Sequence, residues 1–199
     1  QMWLDGLYMA GPICAEYAAR FQQPEYLELA AKQALLMEEK TRDDKTGLWY
    51  HAWDCSHRED WADQETGLSH EFWGRSKGWV PVAILDELDF MEPSHPQYEK
   101  LCALVRNLLE SVCRYQSADG RWYQVVDKGG KEGNWLETSC SCLYTAAIVK
   151  AVHKPNGGHG SGVNKGLELA HGLYYKVVDS DDSFYRDAYL KMLDKIKSF

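Results

Sequence analysis

An internal repeat constrains this 199-residue chain more than any single motif does. Pro24-Glu25-Tyr26 opens a stretch that passes through one helical pattern to Gly47-Leu48-Trp49-Tyr50, with Asp54 just beyond. Pro96-Gln97-Tyr98 opens a second stretch that reaches Gly120-Arg121-Trp122-Tyr123, with Asp127 just beyond. The two prolines lie 72 residues apart and the two glycines 73, so a single one-residue gap aligns the units. Each unit reads as a helix, an aromatic turn and a further helix. Trp73 and Trp135 open those further helices, as Trp3 opens the first helix of the chain. Helical hairpins repeated with their aromatic loops at one end predict an all-α solenoid or a closed α/α toroid. An irregular helical bundle is the alternative.

The remaining pattern agrees with helices. Apolar residues recur at three and four spacings from Leu4 to Phe21, with a break expected at Gly11-Pro12. A second helix is expected over 24–41, a pair over 75–91 and 95–117, and another over 136–153. Residues 42–70 are polar and dotted with Trp and His, which predicts a long functional loop with at most a short extended piece. Asp119-Gly120 turns into a short predicted strand at 122–126. Residues 155–162 form a Gly-rich connection, and two weaker helices are expected near 164–178 and 183–198.

Composition narrows the function. Thirty acidic against 22 basic residues give a net charge of -8, and no basic run offsets it, which argues against nucleic acid and anionic membranes as partners. No apolar run is long enough to span a bilayer. Six cysteines are too dilute for a disulfide scaffold and predict buried free thiols in a reducing compartment. Aromatic content of 13%, with many Trp beside Gly and His, points instead to a lined cavity of the kind that stacks sugars.

Three segments are candidates for chemistry. Asp5, in Trp3-Leu4-Asp5-Gly6, is either a helix N-cap or a carboxylic acid set among aromatics to donate a proton. His51 lies between Trp49 and Trp53, either as a satisfied loop histidine or as a donor to a sugar hydroxyl or carboxylate. The run Trp73-Gly74-Arg75-Ser76-Lys77-Gly78-Trp79 combines flat apolar faces, a planar guanidinium fork suited to a carboxylate, and small residues that admit a ligand to the backbone. Its alternative is a structural cation–π pair between Arg75 and a Trp. His51, Cys55, His57 and His70 fit no standard zinc spacing, and no phosphate-binding or nucleophile-elbow motif occurs, so neither a metal nor a cofactor is expected.

Taken together and in order, these segments resemble the unsaturated rhamnogalacturonyl hydrolases of glycoside hydrolase family 105, relatives of the family 88 unsaturated glucuronyl hydrolases. The resemblance rests on Trp3-Leu4-Asp5-Gly6-Leu7-Tyr8-Met9, Tyr50-His51-Ala52-Trp53-Asp54, Phe72-Trp73-Gly74-Arg75-Ser76-Lys77-Gly78-Trp79 and Asn134-Trp135-Leu136-Glu137-Thr138-Ser139, and it thins after the Gly-rich connection. It implies an (α/α)6 barrel, of which this chain is one partial domain covering about half. It also implies hydration of the vinyl ether in a terminal 4,5-unsaturated uronic acid carried by pectin or rhamnogalacturonan oligosaccharides. By the resemblance Asp5 is the catalytic acid, while His51, Trp73, Arg75, Lys77, Gly78 and Trp79 bind substrate. A bacterial, cytoplasmic protein is implied with it. The start at Gln1 in apolar helical sequence leads us to expect a fragment or a homo-oligomer whose contacts cover open barrel edges. The competing expectations are a catalytically incomplete carbohydrate-binding member and a different toroid enzyme such as a sugar epimerase, which would rely on paired histidines.

Overall fold

The computed structural model describes residues 1–151, so the Gly-rich connection and the two helices expected after it lie outside the described residues. Five helices alternate with short antiparallel pairings. β1 (Met2–Trp3) leads into α1 (Asp5–Phe21) and α2 (Pro24–Thr41). β2 (Ala52–Trp53) precedes α3 (Gly74–Leu88) and α4 (Tyr98–Cys113). β3 (Trp122–Tyr123) and β4 (Leu136–Glu137) precede α5 (Thr138–Ala151). α1, α3 and α5 pack side by side as one layer, with α2 and α4 packed against them as a second. The repeat is thereby realised as two units, α2–loop–α3 and α4–hairpin–α5, and the aromatic turns share one end.

Sequence explains most of these elements. Pro24 starts α2, where its missing N–H would have no partner anyway. Ala30, Ala31, Ala34 and Met37 then bury one stripe. α4 buries Leu101, Leu104, Val105, Leu108 and Val112 at the same spacing. Its carbonyl at Val112 accepts the Nε1–H of the buried Trp122 at 2.8 Å. Tyr144 of α5 donates its hydroxyl to the Gly74 carbonyl at 2.9 Å, tying α5 to the start of α3.

Several expectations change. α1 runs unbroken through Pro12, because the proline removes one intrahelical donor without ending the helix when packing holds both halves. α3 likewise continues past Pro81. The helices predicted over 75–91 and 95–117 are shorter at their C-termini, and the strand over 122–126 contracts to Trp122–Tyr123. Trp3 lies in β1 rather than in the helix. Of the six cysteines only Cys140 is buried, while Cys55, Cys113 and Cys142 are exposed.

The long loop between α2 and α3 is held by two copies of one turn, Asp43-x-x-Thr46-Gly47-Leu48 and Asp63-x-x-Thr66-Gly67-Leu68. In each, the Asp carboxylate accepts the Thr backbone N–H and hydroxyl, and the Thr oxygen accepts the Leu N–H. The Gly stands at positive φ (72° and 74°), where any side chain would be strained. Asp54 lies buried between the two turns. Burial pushes its carboxyl up, yet the Arg58, Ser56 and Glu59 N–H groups and the Ser56 hydroxyl together hold it well below the usual range.

One buried carboxyl lacks such support. Glu87 of α3 is fully buried, neither oxygen has a hydrogen-bond partner among the described residues, and it faces a cavity of about 440 Å³ between α1 and α2. Gly11 is what admits it, since a Cβ there would lie 1.9 Å from Glu87 Oε1. The outer flank of the same two helices exposes Met9, Ile13, Phe21 and Leu29. Burial, with a smaller push from Asp86, raises the Glu87 carboxyl to about 8. Folding therefore binds this proton, whereas the unfolded chain releases it near its ordinary 4.5. Stability from this group is complete below the lower value and is lost as pH rises through the higher one. Denaturant titrations should show the native chain losing a few kcal/mol, to order of magnitude, across that interval relative to Glu87→Gln. Parallel pH profiles for the two proteins would contradict this assignment.

Candidate active site

The site forms where β1 and β2 pair. Met2 lies opposite Trp53, Trp3 lies opposite Ala52, and the Leu4 N–H donates to the His51 carbonyl at 3.0 Å. These bonds bring the first residue of α1 against a loop 46 positions later in sequence. Asp5 Oδ2 consequently stands 3.5 Å from His51 Nδ1. Leu4, not Asp5, occupies the N-cap position, and no side chain caps the helix there. The capping alternative for Asp5 is therefore not what the structure shows. Its carboxylate sits in the first turn of α1, at the positive end of the helix dipole.

Aromatic rings enclose this pair. The His51 ring meets Trp3 and Trp73 edge-on, each with centroids 4.9 Å apart, and Trp61 leans on Trp3 at 4.7 Å. His51 Nδ1 is buried and makes no hydrogen bond among the described residues. Burial chiefly lowers the His51 pKa, the Lys77 cation adds to that, and Asp5 opposes both. Imidazole is thus mostly neutral near pH 7 and available to donate or accept a hydrogen bond.

Arg75 also lies near Trp73, with its guanidinium carbon 5.1 Å from the ring centroid. Its Nε and one terminal nitrogen both donate to Glu137 Oε1, the former at 2.8 Å. The structural cation–π pair with Trp73 is realised here, and the carboxylate that the guanidinium meets is the chain's own Glu137. Burial alone would raise Glu137, but the Ser139 hydroxyl and Arg75 outweigh it and lower its pKa. Trp79 stacks on Tyr8 of α1 with centroids 4.4 Å apart.

The run from 73 to 79 does not act as one surface. Because α3 begins at Gly74, positions 75 and 79 share one face, while 77 and 78 turn inward. Lys77 is fully buried, and its Nζ donates to the Trp73 carbonyl at 2.9 Å beneath the site. Desolvation drives its pKa well below the usual ammonium value. Gly78 permits contact with α5: a Cβ there would lie 2.7 Å from Leu143 Cβ. Neither residue is placed where a sugar would meet it. Asp5, His51, Trp73, Arg75 and Trp79 remain at or near the half-exposed surface. Among the described residues no three His, Cys, Asp or Glu side chains gather as a metal site.

The glycosyl hydrolase family 88 profile matches residues 1–185. The chain belongs to that family. Among relatives, it is 33% identical over 143 residues to Protein Atu3128 of Agrobacterium fabrum, covering 72% of this chain and 60% of that one. It is 28% identical over 151 residues to the unsaturated rhamnogalacturonyl hydrolase YesR of Bacillus subtilis, covering 76% and 41%. A solved C. acetobutylicum glycoside hydrolase from family 105 superimposes with TM-score 0.74 at 34% identity, covering 82% of this chain and 47% of the other. This family 88 chain thus spans about half the length of such relatives, and its helices form that share of an (α/α)6 barrel.

Three participants had no role assigned from sequence. Tyr8, one turn from Asp5 on α1, and Glu137 both lie in segments that carry the resemblance. Trp61 lies outside those segments and reaches the site only through the loop before α3. If Asp5 is what holds the His51 pKa up, then Asp5→Asn must lower it further. Proton NMR titration should place the native imidazole below 6.5 and the variant lower still. An upward movement in the variant would contradict the placement.

Proposed function

We propose that this family 88 chain removes a terminal 4,5-unsaturated uronic acid from pectin- or rhamnogalacturonan-type oligosaccharides by hydrating its vinyl ether. The observation that carries this reading is the Asp5 carboxylate, 3.5 Å from a neutral His51 in a wall of tryptophans, with a guanidinium near Trp73. An unsaturated uronate presents a flat ring, a carboxylate and an electron-rich C4. Tryptophan faces suit the ring and the Arg75 fork suits the carboxylate. Asp5 as the acid delivers a proton to C4, and a water adds its hydroxyl at C5 while its second proton returns to the Asp5 carboxylate. The resulting hemiketal opens to a ketone, and the former anomeric carbon releases the remaining sugar. Overall one water is consumed and no cofactor takes part. His51, uncharged, holds the Asp5 carboxyl or a substrate hydroxyl in place.

The likeness to YesR, an unsaturated rhamnogalacturonyl hydrolase, supports the rhamnogalacturonan side of the reading, and the bacterial sources of the relatives support a bacterial protein. Among the described residues no helix is long and apolar enough to cross a membrane, and a cytoplasmic location belongs to the same proposal. A second reading is sugar binding without turnover; the chain covers 47% of the solved family 105 relative.

Conjugation of the double bond with the carboxylate gives an ultraviolet band whose disappearance reports hydration. With unsaturated digalacturonate and an unsaturated rhamnogalacturonan disaccharide, the native chain should erase the band, and Asp5→Asn should slow it by about 10²–10⁴-fold. A folded native chain that binds either sugar but leaves the band intact would favour the binding reading.

A further inference from the structure

Arg75 is the cation expected to meet the substrate carboxylate, yet one edge of its fork is already engaged. Nε and one terminal nitrogen donate to Glu137 Oε1, and Arg75 makes no other hydrogen bond among the described residues. Ser139 donates its hydroxyl to the same oxygen at 2.7 Å. The Glu137 side chain is only 8% exposed, whereas that of Arg75 is 43% exposed. The carboxylate is therefore the fixed member of the pair and the guanidinium the presented one. Glu137 owes its fixity to its place in β4, where it lies opposite the buried Trp122, and to the start of α5 immediately after it. The guanidinium carbon lies 5.1 Å from the Trp73 ring centroid.

A guanidinium offers five N–H groups in a rigid plane. With the Nε edge held inward by Glu137 and Trp73 close by, the outer edge is what remains for a ligand. That edge can form two parallel bonds to a planar carboxylate end-on, at a fixed distance from Trp73 and hence from His51 and Asp5. Without Glu137 the same cation would sweep over many rotamers, and part of the binding energy would go to ordering it.

We propose that Glu137 is a positioning residue for Arg75: it orients the guanidinium so that its outer edge receives the uronate carboxylate of the substrate. This rests on the unsaturated-uronate reading of the site and names the group that gives that site its carboxylate geometry. Glu137 touches no substrate and acts only through Arg75.

A double-mutant cycle on the full chain tests this. Asp5→Asn serves as the parent so that chemistry is silent, and the Kd for unsaturated digalacturonate is read by calorimetry. Glu137→Ala should weaken binding about tenfold, the scale of one charge-assisted hydrogen bond. Glu137→Gln, which keeps an acceptor oxygen of the same reach, should recover much of that loss. In the Arg75→Ala background, Glu137→Ala should weaken binding no further. Thermal unfolding of each variant identifies any that does not fold, and Glu137→Gln, nearly isosteric, keeps the comparison open if Glu137→Ala fails. Equal fold-losses with and without Arg75, or an unchanged Kd in both Glu137 variants, would overturn the proposal. Turnover by the native chain is measured separately. Binding with the expected coupling but no turnover would sink the hydrolase reading alone, while turnover with additive losses would sink the positioning role alone. Absence of any binding by the parent would overturn both.

Discussion

Two backbone pairings between short strands determine where the chemistry can be. β1 against β2, extended by the Leu4-to-His51 hydrogen bond, fixes Asp5 beside His51. β3 against β4 fixes Glu137 beneath Arg75. A further bridge between Trp73 and Val125, with the Val126 N–H on the Phe72 carbonyl, ties the two clusters together. Each pairing is only two residues long, too little to stand alone in water. They persist because every one of them opens directly onto a packed helix: α1, α3 or α5. The helices supply rigidity, and their starts carry candidate site residues. The candidate site gathers at one end of the layer for that reason.

Charge is arranged with the same economy. A buried amino group at Lys77 and a buried carboxyl at Glu87 both cost stability, and neither reaches the open surface. Lys77 lies directly under the Trp73 carbonyl, where its field helps keep His51 neutral. Arg75 and Glu137 largely cancel at long range, so under the proposed function recognition there depends on direction more than on net field. In a chain of net charge -8, that proposal gives the reception of an anionic sugar to one directional cation.

Much of this was visible in the residues. The Pro24 and Pro96 repeat gave the alternation of helices and aromatic turns, and the family followed from four short segments. Helix geometry explains the errors. Reading Trp73 to Trp79 as a line assigned Lys77 and Gly78 to the substrate, whereas a 100° step per residue turns them into the interior. The expected break at Gly11-Pro12 does not occur: packing carries α1 through Pro12, and Gly11 makes room for Glu87 from α3. Glu137 stood in one of the four matching segments, but its link to Arg75 could not be read there, since that partner lies 62 positions earlier. The twin Asp-x-x-Thr-Gly-Leu turns were legible in principle, as side-chain-to-backbone bonds of that spacing have a local signature.

A crystal structure of Asp5→Asn with an unsaturated uronyl disaccharide would test the central claim most directly. The account places the ring against Trp73, its carboxylate on the outer edge of Arg75, and C4 within about 3–3.5 Å of the residue-5 side chain. A sugar bound with its carboxylate away from Arg75, or with C4 remote from position 5, would contradict it.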